Sequence, residues 1–160
     1  MPLPSFRIGH GYDLHRLRPG GRLVLAGVEV STEISPIAHS DGDVVLHALV
    51  DAILGALGQG DIGELFPDTD PKWRGAESRL FLEEAHRRTT LAGYHVVNAD
   101  VTILAERPRL KSFKPQMTAT LTQLLNAPVN IKAGTNEKVD AVGQGQAIAA
   151  HAVVLLAKAP

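Results

Sequence analysis

The stretch A-I-A-A-H-A-V-V-L-L-A-K, Ala147 to Lys158, decides the fold class. It is apolar at both odd and even positions, so a strand formed here is buried on both faces and belongs in the middle of a sheet. Working back from it, Val129 and Ile131 alternate with Asn130 and Lys132. Val97, Ala99, Val101 and Ile103 alternate with Asn98, Asp100 and Thr102. Both patterns have the period of a strand with one apolar face. Phe6 to Ile8 and Leu23 to Val30 read as two further strands, the second entered through Gly20-Gly21.

Between these strands the period changes to 3.6. Asp43 to Leu57 carries apolar residues at 45, 46, 49, 50, 53, 54 and 57 and reads as a helix. Glu77 to Leu91 is a second helix, closed by Gly93. Pro115 opens a third, through Met117, Leu121, Leu124 and Leu125. The expectation is an α/β (α+β) fold spanning residues 1–160 as one domain. Its mixed sheet of four to five strands has helices on one face. A chain of 160 residues has little left to cover the other face of its last strand, so a homo-oligomer is expected to bury it.

Composition removes several function classes. There is no cysteine, which excludes disulfides, thiolate zinc sites, iron–sulfur clusters and a cysteine nucleophile. Sixteen Lys and Arg stand against seventeen Asp and Glu, so bulk charge does not recruit nucleic acid. Met1 to Arg7 lacks the apolar run of a secretory signal, and the stretch from Ala147 to Ala157 is too short to span a bilayer. No nucleic-acid or membrane partner is expected. The expected location is the cytoplasm, or a plastid stroma if a transit peptide has been removed.

Seven of the nine aspartates fall between Asp13 and Asp70, and four of the seven histidines between His10 and His47. These are the oxygen and nitrogen ligands open to a chain without cysteine. In extended backbone the side chains of Asp13 and His15 point the same way, as a metal-ligand pair or as a surface salt pair. Asp43, His47 and Asp51 recur at a spacing of four and share one polar stripe of an apolar helix. Asp13, His15 and His47 together supply a carboxylate and two imidazoles. Three ligands without a fourth is the pattern of a catalytic zinc with one open position. Asp43 or Asp51 is then available to orient an imidazole.

Two loops add candidates. The segment from Gly58 to Gly75 holds Asp61, Glu64, Asp68 and Asp70 with Pro67 and Pro71, too polar for a mere connector. Its carboxylates fit polyol hydroxyls or an array of Asx turns equally well. Lys132-Ala-Gly-Thr-Asn-Glu-Lys138 offers backbone N–H groups, Thr135 and Lys138 to a phosphate, and Glu137 to a hard cation. It also reads as a plain turn, and the spacing is not that of a Walker loop.

Four motifs, G-H-G-Y-D-L-H at 9–15, A-H-S-D-G-D-V-V-L-H at 38–47, G-D-I-G-E-L-F-P-D-T-D-P at 60–71 and K-A-G-T-N-E-K at 132–138, together resemble one family. It is that of the 2-C-methyl-D-erythritol 2,4-cyclodiphosphate synthases of non-mevalonate isoprenoid synthesis. The resemblance runs from about Arg7 to Lys158. It implies a lyase that closes 4-diphosphocytidyl-2-C-methyl-D-erythritol 2-phosphate into the cyclic diphosphate and releases CMP. It further implies a homotrimer with active sites at subunit interfaces. By motif position, Asp13, His15 and His47 are implied as zinc ligands and Glu137 as the ligand of magnesium or manganese. His39 and Thr135 are implied as transition-state stabilisers. Leu14, Ser40, Asp61, Ile62, Gly63, Phe66, Pro67, Asp68, Thr69 and Asp70 are implied in substrate binding, mainly of the methylerythritol phosphate. Ala105 to Lys111, with Ala105, Arg109, Leu110 and Lys111 foremost, and Gly134, Thr135, Asn136 and Glu137 fall on the cytidine diphosphate side. Ala141 and Gln144 stand where many bacterial members have Phe and Arg. In those members the pair helps form a central cavity that can hold an isoprenoid diphosphate, and this tail resembles the plastid-type version. A zinc-dependent phosphohydrolase and a non-catalytic trimeric binding module are the alternatives.

Overall fold

The computed structural model describes residues 4–160, and Met1 to Leu3 of the N-terminal reading lie outside them. Seven strands and five helices follow one another as β1 (Phe6–Pro19), β2 (Leu23–Leu25), β3 (Val28–Ser31), β4 (Ile34–Pro36), α1 (Val44–Leu57), α2 (Ile62–Leu65), α3 (Ser78–Leu91), β5 (Tyr94–Leu104), α4 (Lys114–Leu125), β6 (Val129–Gly134), α5 (Asp140–Gly143) and β7 (Ala147–Lys158). A short 3₁₀ turn, Pro71–Trp73, precedes α3. No helix among the described residues is long and apolar enough to cross a membrane.

The main sheet is five-stranded in the order β4-β1-β7-β5-β6, with β5 and β6 parallel and the other pairs antiparallel. The apolar stretch at the C-terminus lies in its middle, between β1 and β5, as its pattern requires. Ile148, Ala150, Ala152, Val154 and Leu156 join residues of α1, α3 and α4 in one core. The alternate residues face the other way, where among the described residues the single turn of α5 packs, through Val142 on Ala147 and Ala149. The long helices therefore do share one face, and α5 is the exception. Phe6, Ile8, Tyr12, Leu14 and Val153 are left exposed on the open face.

The four strands before α1 differ from the sequence reading, and α2 and α5 are not part of it. β1 runs on from Ile8 to Pro19, so Asp13 and His15 sit inside a laddered strand opposite Ala150 and Ile148. β4 carries no alternation to betray it, having only three residues. Leu23 to Val30 is not one strand but a hairpin, turning at Ala26 (φ 52°) and Gly27 (φ 74°). A two-residue turn with both φ positive normally calls for Asn, Asp or Gly at its first position. The Ala26 conformation is held from a distance instead: Asp43 accepts the N–H groups of both Ala26 (3.0 Å) and Gly27 (2.8 Å).

α1 is buried almost all round, and its backbone lies directly on β1. A Cβ on Gly9 would come within 1.8 Å of the Ala52 carbonyl oxygen, and one on Gly11 within 1.8 Å of that of Ala48. The two glycines are what allow a strand and a helix to touch backbone to backbone. That close approach sets the distance from Asp13 and His15 to His47.

Candidate metal centre and substrate cleft

Asp13 and His15 project from β1 toward α1, and His47 projects back from the first turn of the helix. His15 Nε2 and His47 Nδ1 each lie 3.0 Å from Asp13 Oδ2, and 3.2 Å from one another. Among the described residues this is the one group of three or more His, Asp or Glu ligand atoms able to hold a metal ion. Ligands bound at about 2.0–2.1 Å in a tetrahedron are separated by roughly 3.3 Å, so the three atoms are spaced as one face of such a site.

The proton arrangement supports this fit. Ser78 gives its hydroxyl hydrogen to Asp41, so its oxygen accepts from His47 Nε2–H at 2.7 Å. Ser40 Oγ lies on the same nitrogen at 3.2 Å. In the neutral ring this leaves the Nδ1 lone pair free and pointing at the Asp13 carboxylate, two acceptors that a cation between them reconciles. Burial pushes the Asp13 carboxyl up, but with the two imidazoles protonated their hydrogen bonds and charge outweigh it and hold the group well below the usual carboxylate range; a cation would take the place of those protons.

Neither Asp43 nor Asp51 orients an imidazole, contrary to the reading of the spacing-four stripe. Asp43 is the fully buried N-cap of α1, accepting from Val45 and Leu46 as well as from the hairpin turn. Burial pushes its carboxyl up to about 6 despite the N–H groups of Gly27, Leu46 and Ala26. Asp51 accepts the Ile62 N–H at 2.8 Å and so anchors α2. Its carboxyl is raised by burial and by the nearby Asp61 and Asp13, against that bond and the His47 charge.

The centre opens into a cavity of about 610 Å³ whose lining includes Asp13, His15, His39, Ser40, His47, Ile62, Gly63, Phe66, Pro67 and Asp68. Trp73 and Phe81, which the sequence reading passed over, complete an aromatic wall with Phe66; the Phe66 and Phe81 rings stack at 4.5 Å. His39 Nε2 is buried with no partner among the described residues, the condition of a donor or acceptor kept for a ligand. Asp61 caps α2 through the Glu64 N–H and Asp70 caps the 3₁₀ turn through the Lys72 N–H; neither lines this cavity, nor does Thr69. Leu14 is on the open face, turned away from the metal centre.

A second cavity of about 590 Å³ lies at the ends of β5 and β6, lined by Ala105, Glu106, Pro108, Arg109, Leu110, Lys111, Lys114, Ala133, Gly134 and Thr135. It shares no residue with the first. Arg107 leaves this group and lines a third hollow beside Gly145. Asn136 is tied to Asp140, and Glu137 accepts from the Thr135 hydroxyl. His39 and Thr135, expected to act together, are thus in different cavities of one chain.

Residues 6–157 match the model of the YgbB family. The 2-C-methyl-D-erythritol 2,4-cyclodiphosphate synthase, chloroplastic, of Catharanthus roseus is 54% identical over 95% of this chain, which spans 66% of that relative. The 2-C-methyl-D-erythritol 2,4-cyclodiphosphate synthase of Escherichia coli O127:H6 is 50% identical over 96% of this chain and 98% of its own length. Among solved structures, an IspF from Plasmodium falciparum in complex with CDP superposes with a TM-score of 0.86 at 32% identity, covering 98% of both chains. With this likeness extending over the five-stranded sheet, the Asp/His centre and both cavities, the chain belongs to the YgbB family, that of the 2-C-methyl-D-erythritol 2,4-cyclodiphosphate synthases.

Proposed function

We propose that this chain converts 4-diphosphocytidyl-2-C-methyl-D-erythritol 2-phosphate into 2-C-methyl-D-erythritol 2,4-cyclodiphosphate and CMP. It does so as a homotrimer in which the metal cleft of one copy is completed by the Thr135 cavity of the next. The observation that carries this reading is the division of the site residues between two cavities of one chain, each walled for a different half of such a substrate. The first cleft, with its aromatic wall, Ser40, Asp68 and the metal centre, suits a polyol phosphate. The second cavity, with Arg109, Lys111 and Lys114, suits a nucleotide diphosphate. Phe6, Ile8, Tyr12, Leu14 and Val153 give the open sheet face the apolar surface that packing against other copies buries.

Asp13, His15 and His47 would hold zinc, and Glu137 would contribute to a magnesium or manganese ion bound largely by the substrate's phosphates. Bound metal supplies Lewis acidity, neutralising phosphate oxygens that otherwise repel one another. The chain's own part is mainly positional. It folds the substrate so that a 2-phosphate oxygen reaches the β-phosphorus; that P–O bond forms as the bond to CMP breaks, and CMP departs with the electron pair. His39, with its unpartnered Nε2, and Thr135 from the neighbouring copy stabilise the charge that builds on the transferring group. No protein nucleophile takes part.

Turnover in oxygen-18 water tests the reading. Internal attack gives CMP and a cyclic diphosphate without label. Solvent oxygen on phosphorus, or a linear diphosphate in place of the ring, would make the chain a zinc phosphohydrolase instead.

A further inference from the structure

The open face of the sheet carries two histidines that the proposed chemistry does not use. On β1 the residues facing α1 are Gly9, Gly11, Asp13 and His15, and the alternate set, which includes His10 and Tyr12, faces away. His151 on the neighbouring β7 is directly opposite Tyr12, and Val153 opposite His10. His10 and His151 are therefore diagonal neighbours on one surface, with His10 Nε2 3.1 Å from His151 Nδ1. The Tyr12 ring lies against His151 with centroids 4.7 Å apart, which restrains the imidazole. On β5, Thr102 is opposite His151 and Asp100 opposite Val153, and Asp100 is engaged by Asn130 and Lys132. Among the described residues no carboxylate is ion-paired with either ring.

We propose that His10 and His151 form a second metal site, which chelates zinc or a similar borderline divalent transition ion between β1 and β7. Two imidazole nitrogens bound at 2.0–2.1 Å in neighbouring coordination positions are roughly 2.9–3.4 Å apart, the range in which this pair already stands. Without metal, one ring donates its N–H to the other. With metal, that hydrogen moves to the far nitrogen of its own ring and both near lone pairs face the ion. Both rings stand on strands joined by a continuous ladder, so little ordering is required when the ion binds. Water, or a group of another copy packed on this face, fills the remaining positions. With two neutral ligands and no carboxylate, this site binds more weakly than the Asp13, His15 and His47 centre, from which it is separated by the thickness of the sheet.

The test is zinc titration of the metal-stripped full chain by calorimetry, with cobalt(II) as a paramagnetic probe of the histidine ring resonances. The unaltered chain is expected to take up two zinc ions, one tight and one weak. His10→Gln with His151→Gln should remove the weak one, a loss of roughly tenfold or more in its affinity, and leave CMP release unchanged. His47→Ala should remove the tight one and keep the weak one. Cobalt should broaden the His10 and His151 ring signals in both the unaltered chain and His47→Ala. Equal zinc uptake by the double variant, or sharp His10 and His151 signals at saturating cobalt, overturns the proposal. Because the ring signals are read in His47→Ala as well, failure of the cleft as a zinc site is distinguishable from failure of this one.

Discussion

Replacing Asp43 by alanine removes a single carboxylate that joins two parts of the fold. Its Oδ1 accepts from Ala26, Val45 and Leu46, and its Oδ2 from Gly27. Loss of an N-cap costs about 1 kcal/mol, and each buried N–H left without a partner about 1–3 kcal/mol. With two helix amides and two turn amides affected, the variant should be destabilised by roughly 3–5 kcal/mol. Urea unfolding measures this, and the amides of Ala26 and Gly27 should lose protection in hydrogen exchange. The pH dependence follows from the same burial. The folded carboxyl sits at about 6 against an ordinary 3.8, so between those values the folded chain binds the extra proton. This group's contribution is fully present below the unfolded value and is lost as pH rises through the folded one. The stability difference between the unaltered chain and Asp43→Asn should therefore shrink from about pH 4 to pH 6. A loss below about 1 kcal/mol for the alanine variant, with protection of both turn amides intact, would refute the reasoning that one side chain holds turn and helix together.

Gly11→Ala places a methyl 1.8 Å from the Ala48 carbonyl oxygen, so β1 and α1 must part, at a cost of about 3 kcal/mol or more, read as a lowered urea midpoint together with weaker zinc binding. Ser78→Ala removes the acceptor for His47 Nε2–H and should weaken zinc about 10–100-fold in a competition titration while the secondary structure is unchanged by circular dichroism. His47→Ala should abolish tightly bound zinc and CMP release with the helix still folded; full retention of tight zinc would remove His47 from the ligand set. His39→Ala should slow CMP release roughly a hundredfold with zinc content unchanged, since its ring is not among the ligand atoms.

Much of the chemistry was legible in residue types and local periods. Absence of cysteine, a concentration of Asp and His in the first half and the one-residue separation of Asp13 and His15 made these two and His47 candidate ligands, the motif resemblance named them together, and the structure brings their ligand atoms together. The apolar pattern of β7 placed it in the middle of the sheet because a strand without a polar face has no other stable position. The stripe of Asp43, His47 and Asp51 was misread in part, since a spacing of four reports which side of a helix a residue occupies and not what lies opposite. Only the packing of the β2–β3 turn and of α2 against α1 turned the two carboxylates into backbone acceptors.

What no local pattern carried was contact between distant segments. Ser78 reads as a residue at a helix start, yet its hydroxyl spans from Asp41 to His47 because α3 packs beside α1. No local pattern singles out Gly9 and Gly11, and only the helix lying on them shows that a hydrogen atom is the largest side chain that fits. His10 and His151 are far apart in sequence and meet through the register of β1 and β7. Composition and period follow from each residue's own preferences and its near neighbours, so the sequence by itself determined the elements and the kinds of ligand. Which atoms lie within 3 Å of one another depends on how those elements stack, and the tertiary structure alone decided it.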